Sequence, residues 1–207
     1  MKLLAIADIH GAWNVLYLIE EFDGLYNFDA VLIAGDITNF GPAEFALDFL
    51  NEINKPTFAI PGNCDPPDVL DAIEKSKAVN LHKKEFEFGG LHFIGLGGTN
   101  GIGFTMGITF QEDYAYKFLS RCKECVFLLH QPPYGILDDV GSHHIGSEGI
   151  RKAVFEAKPK IVISGHVHEA RGYFKTEDTL FVNPGPAKSG YAAIVDTENF
   201  SVRLLEK

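Results

Sequence analysis

Long apolar runs are missing from this 207-residue chain, and so is any excess of positive charge. No stretch approaches the ~18 consecutive apolar residues that a membrane span needs. The opening Met1-Lys2-Leu3-Leu4-Ala5-Ile6-Ala7 reaches Asp8 before a secretory core of ~7 or more apolar residues is secure. Basic residues number 18 against 28 acidic, a formal charge of −10, which disfavours broad electrostatic binding to nucleic acid. Cysteine is scarce. Cys64, Cys122 and Cys125 make an odd set without framework spacing, as expected in a reducing compartment. The lone Cys122-x-x-Cys125 has no second CxxC to complete a zinc site, and the surrounding pattern has Cys122 closing a helical stripe and Cys125 opening a strand. Repeats, low-complexity tracts, linkers, a Walker pattern and a Ser-His-Asp arrangement are also lacking. The expectation is a cytoplasmic chain, one domain over 1–207, with no membrane partner. Its 46% hydrophobic and 22% charged residues suit a core of that size.

Apolar patterning then alternates between two periods. Lys2–Ala7, Ala30–Ala34 and Thr57–Ile60 read as buried strands. Between and after them run helical stripes: Ala12, Val15, Leu16 and Ile19; Ala46, Phe49, Leu50 and Ile53 behind Pro42; Val69, Ala72 and Ile73 behind Pro66-Pro67. This βαβαβα start implies a parallel sheet with right-handed crossovers. Glu85–Phe88 and Leu91–Leu96 around Gly89-Gly90 read as an antiparallel hairpin. Helices around Ala115–Leu119 and Ile150–Ala157, and strands at Cys125–Leu129, Ile161–Ser164, Thr179–Val182, Tyr191–Asp196 and Ser201–Leu205, complete an α/β pattern.

Five short motifs stand just past these strands: Asp8-x-His10, Gly35-Asp36, Gly62-Asn63-Cys64-Asp65, His130, and Gly165-His166-x-His168. Ligands of α/β sheets collect at such carboxyl ends. The motifs carry seven side chains that can give O or N to a metal: Asp8, His10, Asp36, Asn63, His130, His166 and His168. A single zinc site takes four or fewer. Seven point to two ions sharing one bridging carboxylate, and so to hydrolysis at phosphorus. Each motif alone has a plainer explanation. Asp8 can cap the next helix, Asp36 and Asn63 suit turns, and one buried histidine is ordinarily satisfied by hydrogen bonds. If their segment is extended, Asp8 and His10 point to the same side. Asp65 reads as a cap or loop-ordering residue rather than a ligand.

The order and spacing of these motifs, from Asp8 to about Gly185, resemble the calcineurin-like metallophosphoesterase superfamily. The resemblance implies two packed mixed β-sheets flanked by helices on both outer faces, a four-layer α-β-β-α sandwich. It places Asp8, His10 and His168 on a first ion, Asn63, His130 and His166 on a second, and Asp36 between them. The implied cofactors are two divalent metal ions, manganese foremost, with iron, zinc, cobalt or nickel also suited to the shell. The implied reaction is attack on phosphorus by a metal-bridging hydroxide. A phosphodiesterase comes first, a phosphomonoesterase second, and a non-catalytic protein-binding scaffold is the reading from another class. The expected partner is a small phosphate ester or nucleotide-like substrate, with a homo-oligomer left open.

The sequence departs from the superfamily pattern at three positions. Cys64 replaces a common histidine, Asn39 replaces the aspartate that pairs with it, and Phe40 replaces an arginine that grips phosphate in protein phosphatases. Cys64 is therefore a candidate catalytic residue by position only. The stretch from His130-Gln131-Pro132-Pro133-Tyr134 through Leu137-Asp138 to His144-x-Gly146-Ser147 looks like the small branch related to cyclic-nucleotide phosphodiesterases. On that likeness His144 is a candidate to contact substrate or protonate the leaving oxygen; a solvated loop histidine is the alternative. Asn63, His144 and Asn183, the last in Asn183-Pro184-Gly185, are the candidate substrate contacts. The glycine-rich Gly95–Asn100 loop is a weak candidate for nucleotide binding, and His82 and His92 read as surface or sheet residues.

Overall fold

The computed structural model describes residues 1–101 and 107–207. The chain forms β1 (Lys2–Ile6), α1 (Val15–Tyr26), β2 (Ala30–Ala34), α2 (Ala43–Glu52), β3 (Thr57–Ile60), α3 (Asp68–Lys75) and β4 (Val79–Asn80). There follow β5 (Lys84–Phe88), β6 (Leu91–Leu96), α4 (Glu112–Leu119), β7 (Val126–Leu129), β8 (Asp139–Val140), β9 (His143–His144) and α5 (Glu148–Ala157). The chain closes with β10 (Ile161–Ile163), β11 (Gly172–Lys175), β12 (Leu180–Asn183), β13 (Tyr191–Asp196) and β14 (Ser201–Glu206).

Two six-stranded sheets result, ordered β14-β13-β1-β2-β3-β4 and β11-β12-β10-β7-β6-β5. In the first, β1 to β4 run parallel and β13 and β14 pair antiparallel at one side. In the second, β6, β7, β10 and β12 run parallel between antiparallel edges. Strand alternation sorts the apolar residues into layers. Leu3, Ala5, Leu32, Phe58, Leu128 and Ile163 meet between the sheets. Leu4, Ile6, Val31 and Ile33 face α1 and α2 through Val15, Ile19, Phe49 and Leu50. Ile94, Phe127 and Val162 face α4 and α5 through Leu119, Ile150 and Val154. This is the expected four-layer sandwich. Among the described residues no helix is long and apolar enough to cross a membrane.

Two local expectations change. Helix α4 stops at Leu119, and Cys122 lies beyond it, joined to Cys125 in a disulfide with Cα atoms 5.7 Å apart. The two-residue turn between them brings both sulfurs to one buried side, at a span a disulfide readily bridges. Strand β11 also goes unmarked in the sequence, because Tyr173 and Phe174 lie exposed at a sheet edge and lack the alternation of a half-buried strand.

Candidate metal centre

The parallel strands of both sheets deliver their carboxyl ends to one basin. Asp8 follows β1, Asp36 follows β2 and Asn63 follows β3; His130 and His166 arrive from β7 and β10. The chain turns sharply at these points. Asp8 (φ 55°), His10 (φ 48°), Asp36 (φ 51°) and His166 (φ 68°) all sit in the left-handed region. That backbone is costly for non-glycine residues and gathers at functional sites. The extended Asp8–His10 segment expected from the sequence is thus replaced by two kinks. Backbone bonds hold them: Asp8 N donates to Gly35 O at 3.0 Å and His10 N to Asp36 O at 2.9 Å. Both carboxylates are buried, Asp8 at 1% and Asp36 at 2% exposure.

Glycine lets the groups crowd together. A Cβ on Gly35 would lie 2.5 Å from His130 Nδ1, and one on Gly165 would lie 2.9 Å from Asp8 Oδ2. At Gly62 it would collide with the Asp36 carboxylate. Asp65 orders the loops, as the sequence suggested. It accepts from Ile37 N (3.0 Å), Thr38 N (2.7 Å) and Gly62 N (2.8 Å), while Cys64 N donates to Asp36 Oδ1 at 2.7 Å.

Ligand atoms of Asp8, His10 and His168 lie within 4.8 Å of one another, as do those of Asp8, Asp36 and His130, and those of His10, Asp36 and Cys64. Asp36 and Asp8 therefore each belong to more than one group. Cys64, a candidate by position, lies among the candidate ligands through His10 and Asp36. His166 is more peripheral: its backbone N–H donates to Asp8 at 3.1 and 3.3 Å, and its ring lies 5.1 Å from that of His130.

The donor chemistry fits cations. His130 Nδ1 lies 2.8 Å from the Ala34 carbonyl, which only accepts, so Nδ1 carries the proton. In the neutral ring Nε2 then turns a lone pair toward Asn63 Oδ1 at 2.8 Å and Asp36 Oδ1 at 3.5 Å. Three lone pairs converge where a cation would satisfy them. His10 Nε2 is buried with no hydrogen-bond partner, 3.9 Å from Asp36 Oδ2. Burial lowers His10 to about 4 and His166 to about 3, so both are neutral ligand-competent imidazoles at pH 7. Burial alone would raise Asp8, but its hydrogen bond with His168 and the surrounding histidines bring it below the ordinary range. Asp36 is held above that range by burial, with the Asp8 charge adding to it. Burial first, then Asp36, raises the Cys64 thiol well beyond its usual range, so it stays protonated.

A cleft of about 320 Å³ opens beside the basin, with Asn63, His166, Tyr134 and His144 in its lining. His144 Nδ1 lies 2.8 Å from Oδ1 of the fully buried Asp138 and 3.2 Å from Asp139 Oδ1. Asp138 also accepts from Gly135 N and Gly146 N, both at 2.9 Å. The Asp138 hydrogen bond and charge raise the His144 imidazole above its ordinary value. The sequence showed the histidine but not its partner, whose only signal was position in the same loop.

Asn183 is buried, with Nδ2 donating to Val167 O at 2.7 Å and Oδ1 accepting from Gly185 N at 2.9 Å. Its amide holds the turn between His166 and His168. Of the two readings for His82, surface or sheet, the sheet one holds: it bridges to Gly95 and is buried. Its Nδ1 accepts from Gly97 N at 3.0 Å, and burial lowers it to about 4. The glycines of the Gly95–Asn100 loop answer to packing: a Cβ on Gly97 would collide with the Pro61 carbonyl, and one on Gly98 with that of Ile108. His92 is exposed, 3.8 Å from Glu87.

A family model of calcineurin-like phosphoesterases matches residues 1–170, and the chain belongs to that family. It is 30% identical over 198 residues to "Uncharacterized protein MJ1162" of Methanocaldococcus jannaschii, an alignment covering 90% of this chain and 88% of that one. Among solved structures it shares the fold of an archaeal phosphodiesterase, with TM-score 0.60, 20% identity and all of both chains covered. It also shares the fold of a dimetal phosphatase of Danio rerio, with TM-score 0.68, 12% identity, and 94% and 91% covered.

Proposed function

We propose that the chain is a binuclear metal-dependent phosphodiesterase acting on small phosphate esters. The convergence of ligand atoms on Asp36 carries this reading: His10 Nε2 without a partner on one side, and His130 Nε2 with Asn63 Oδ1 2.8 Å from it on the other. Asp8, His10 and His168 would hold one divalent ion, Asn63, His130 and His166 a second, with Asp36 shared. Manganese is the first candidate; iron, zinc, cobalt and nickel suit the same shell. Such ions supply Lewis acidity, lowering the pKa of water and neutralising charge on the phosphoryl oxygens.

The chain's own groups do the rest. His166 presents a neutral nitrogen, and the Ala34 carbonyl turns Nε2 of His130 toward the basin. Asn183 sets the His166–His168 turn and acts on the ligands rather than on the substrate. Asn63 and His144 both line the cleft and would face the ester there. His144, protonated and steadied by Asp138, gives its proton to the leaving oxygen. Cys64 stays a neutral thiol and is a weak donor beside Asp36, not a nucleophile. A diester is favoured because Phe40 stands where an arginine would grip the extra charge of a monoester; the archaeal fold neighbour, described as a phosphodiesterase, accords with this.

The test is hydrolysis of bis(p-nitrophenyl) phosphate and p-nitrophenyl phosphate by the full chain with and without added Mn²⁺. Metal-dependent turnover with preference for the diester is expected. Preference for the monoester overturns the diester assignment. Two bound ions without turnover of either ester favour a binding scaffold.

A further inference from the structure

We propose that the cleft beside the basin receives an uncharged, hydroxyl-bearing substituent of the ester, a nucleoside or polyol, and that Glu112 and Glu148 close it to a group bearing a second phosphate. This rests on the phosphodiesterase reading, since it takes the phosphorus to lie at the basin.

Helix α5 begins in this cleft, and a helix N-terminus is where a second anion would ordinarily bind. Here that position is filled from within. Glu112 Oε2 accepts from Gly149 N at 2.6 Å and from Ser147 Oγ at 2.5 Å, and its Oε1 accepts from Asn100 Nδ2 at 2.9 Å. The Ser147 hydroxyl takes the next amide, Ile150 N, at 3.1 Å. The fit leaves no slack: a Cβ on Gly149 would lie 2.6 Å from Glu112 Oε2. Glu148, exposed in the first turn of α5, adds a second carboxylate to the lining.

No lysine or arginine lines the cleft among the described residues. Arg151, the nearby cation, is committed behind the wall: it lies 5.8 Å from the Tyr134 ring centre and donates to the Tyr134 carbonyl at 3.2 Å. A dianionic phosphate entering here would meet Glu112 and Glu148 with no lysine or arginine to offset them; the His144 imidazolium in the lining is already paired with Asp138, and like charges set face to face strongly oppose binding. The walls are otherwise suited to a neutral group. Tyr134 offers a ring face beside His144, with centroids 5.2 Å apart. Gln131 braces the floor by accepting from Asn100 N and donating to Ile145 O, both at 2.8 Å. The pocket is thus built before any ligand arrives.

The experiment compares kcat/KM of the Mn²⁺-loaded full chain for the p-nitrophenyl ester of thymidine 5′-monophosphate and for the same ester phosphorylated at the 3′ oxygen. Preference for the first by on the order of tenfold or more is expected, as like-charge rejection predicts. Glu148→Gln and Glu112→Gln should each narrow that ratio, and Glu177→Gln, on the β11–β12 turn, should leave it unchanged. Glu148 is exposed, so its variant carries the test even if Glu112→Gln fails to fold. Equal use of the two esters overturns the cleft's role alone, provided bis(p-nitrophenyl) phosphate is still hydrolysed. A ratio that Glu177→Gln narrows as much as Glu148→Gln assigns the effect to the chain's general acidity and also overturns it. Failure to hydrolyse bis(p-nitrophenyl) phosphate overturns the phosphodiesterase reading, and the cleft's role with it.

Discussion

In the basin, carboxylates at 1% and 2% exposure stand among left-handed backbone turns, and the buried His10 Nε2 has no hydrogen-bond partner. In and behind the adjoining cleft, which shares Asn63 and His166 with the basin, Glu112, Gln131 and Asp138 have their hydrogen bonds met within the protein, while His144 keeps 39% of its side chain exposed. One region has the donors a cation would need; the other is satisfied internally and suits a neutral group. The basin should therefore respond to metal and charge, and the cleft to the leaving group and pH.

The largest break comes from Asp36→Ala, which removes the shared ligand. Metal content and turnover should fall together, turnover by more than about the hundredfold that even a supporting residue can cost. Undiminished metal in an active variant would contradict the shared role. Next is His144→Ala. On esters with poor leaving groups it should lose on the order of a hundredfold, the ordinary scale of acid catalysis, while p-nitrophenyl esters change little. Equal losses on both would remove the acid role.

Asp138→Asn sharpens the same point through pH. The raised His144 must be protonated to act, so activity on poor leaving groups is full below its pKa and lost as pH rises through it. Without the Asp138 charge that limb should move to lower pH in the kcat/KM profile, and a stationary limb counts against the pair. Gly35→Ala tests the basin's crowding. With φ 89° and His130 in the way, it should cost about 1–3 kcal/mol in urea unfolding. Cys122→Ser, remote from both regions, should cost at most about 2 kcal/mol, since so short a loop gains little from closure, and should leave kcat/KM unchanged.

The basin was the legible region. Its candidate ligands are chemically distinctive residues at strand ends, and Val31–Ala34 before Asp36 or Val126–Leu129 before His130 mark those ends. The left-handed turns at Asp8 and His10 were not legible, because they follow from bonds to Gly35 and Asp36 made across the sheet. The cleft stayed hidden for the same reason. Glu112 and Ser147 lie 35 residues apart, and only the pairing of α4 with α5 brings them together. His82 looked like any sheet histidine until packing placed it under Gly97.

The most direct test is a count of bound metal. After loading with Mn²⁺ and removal of free ions, the protein should retain two ions per chain by elemental analysis, and Asp36→Ala should retain neither tightly. One ion or none on the unaltered chain would contradict the account.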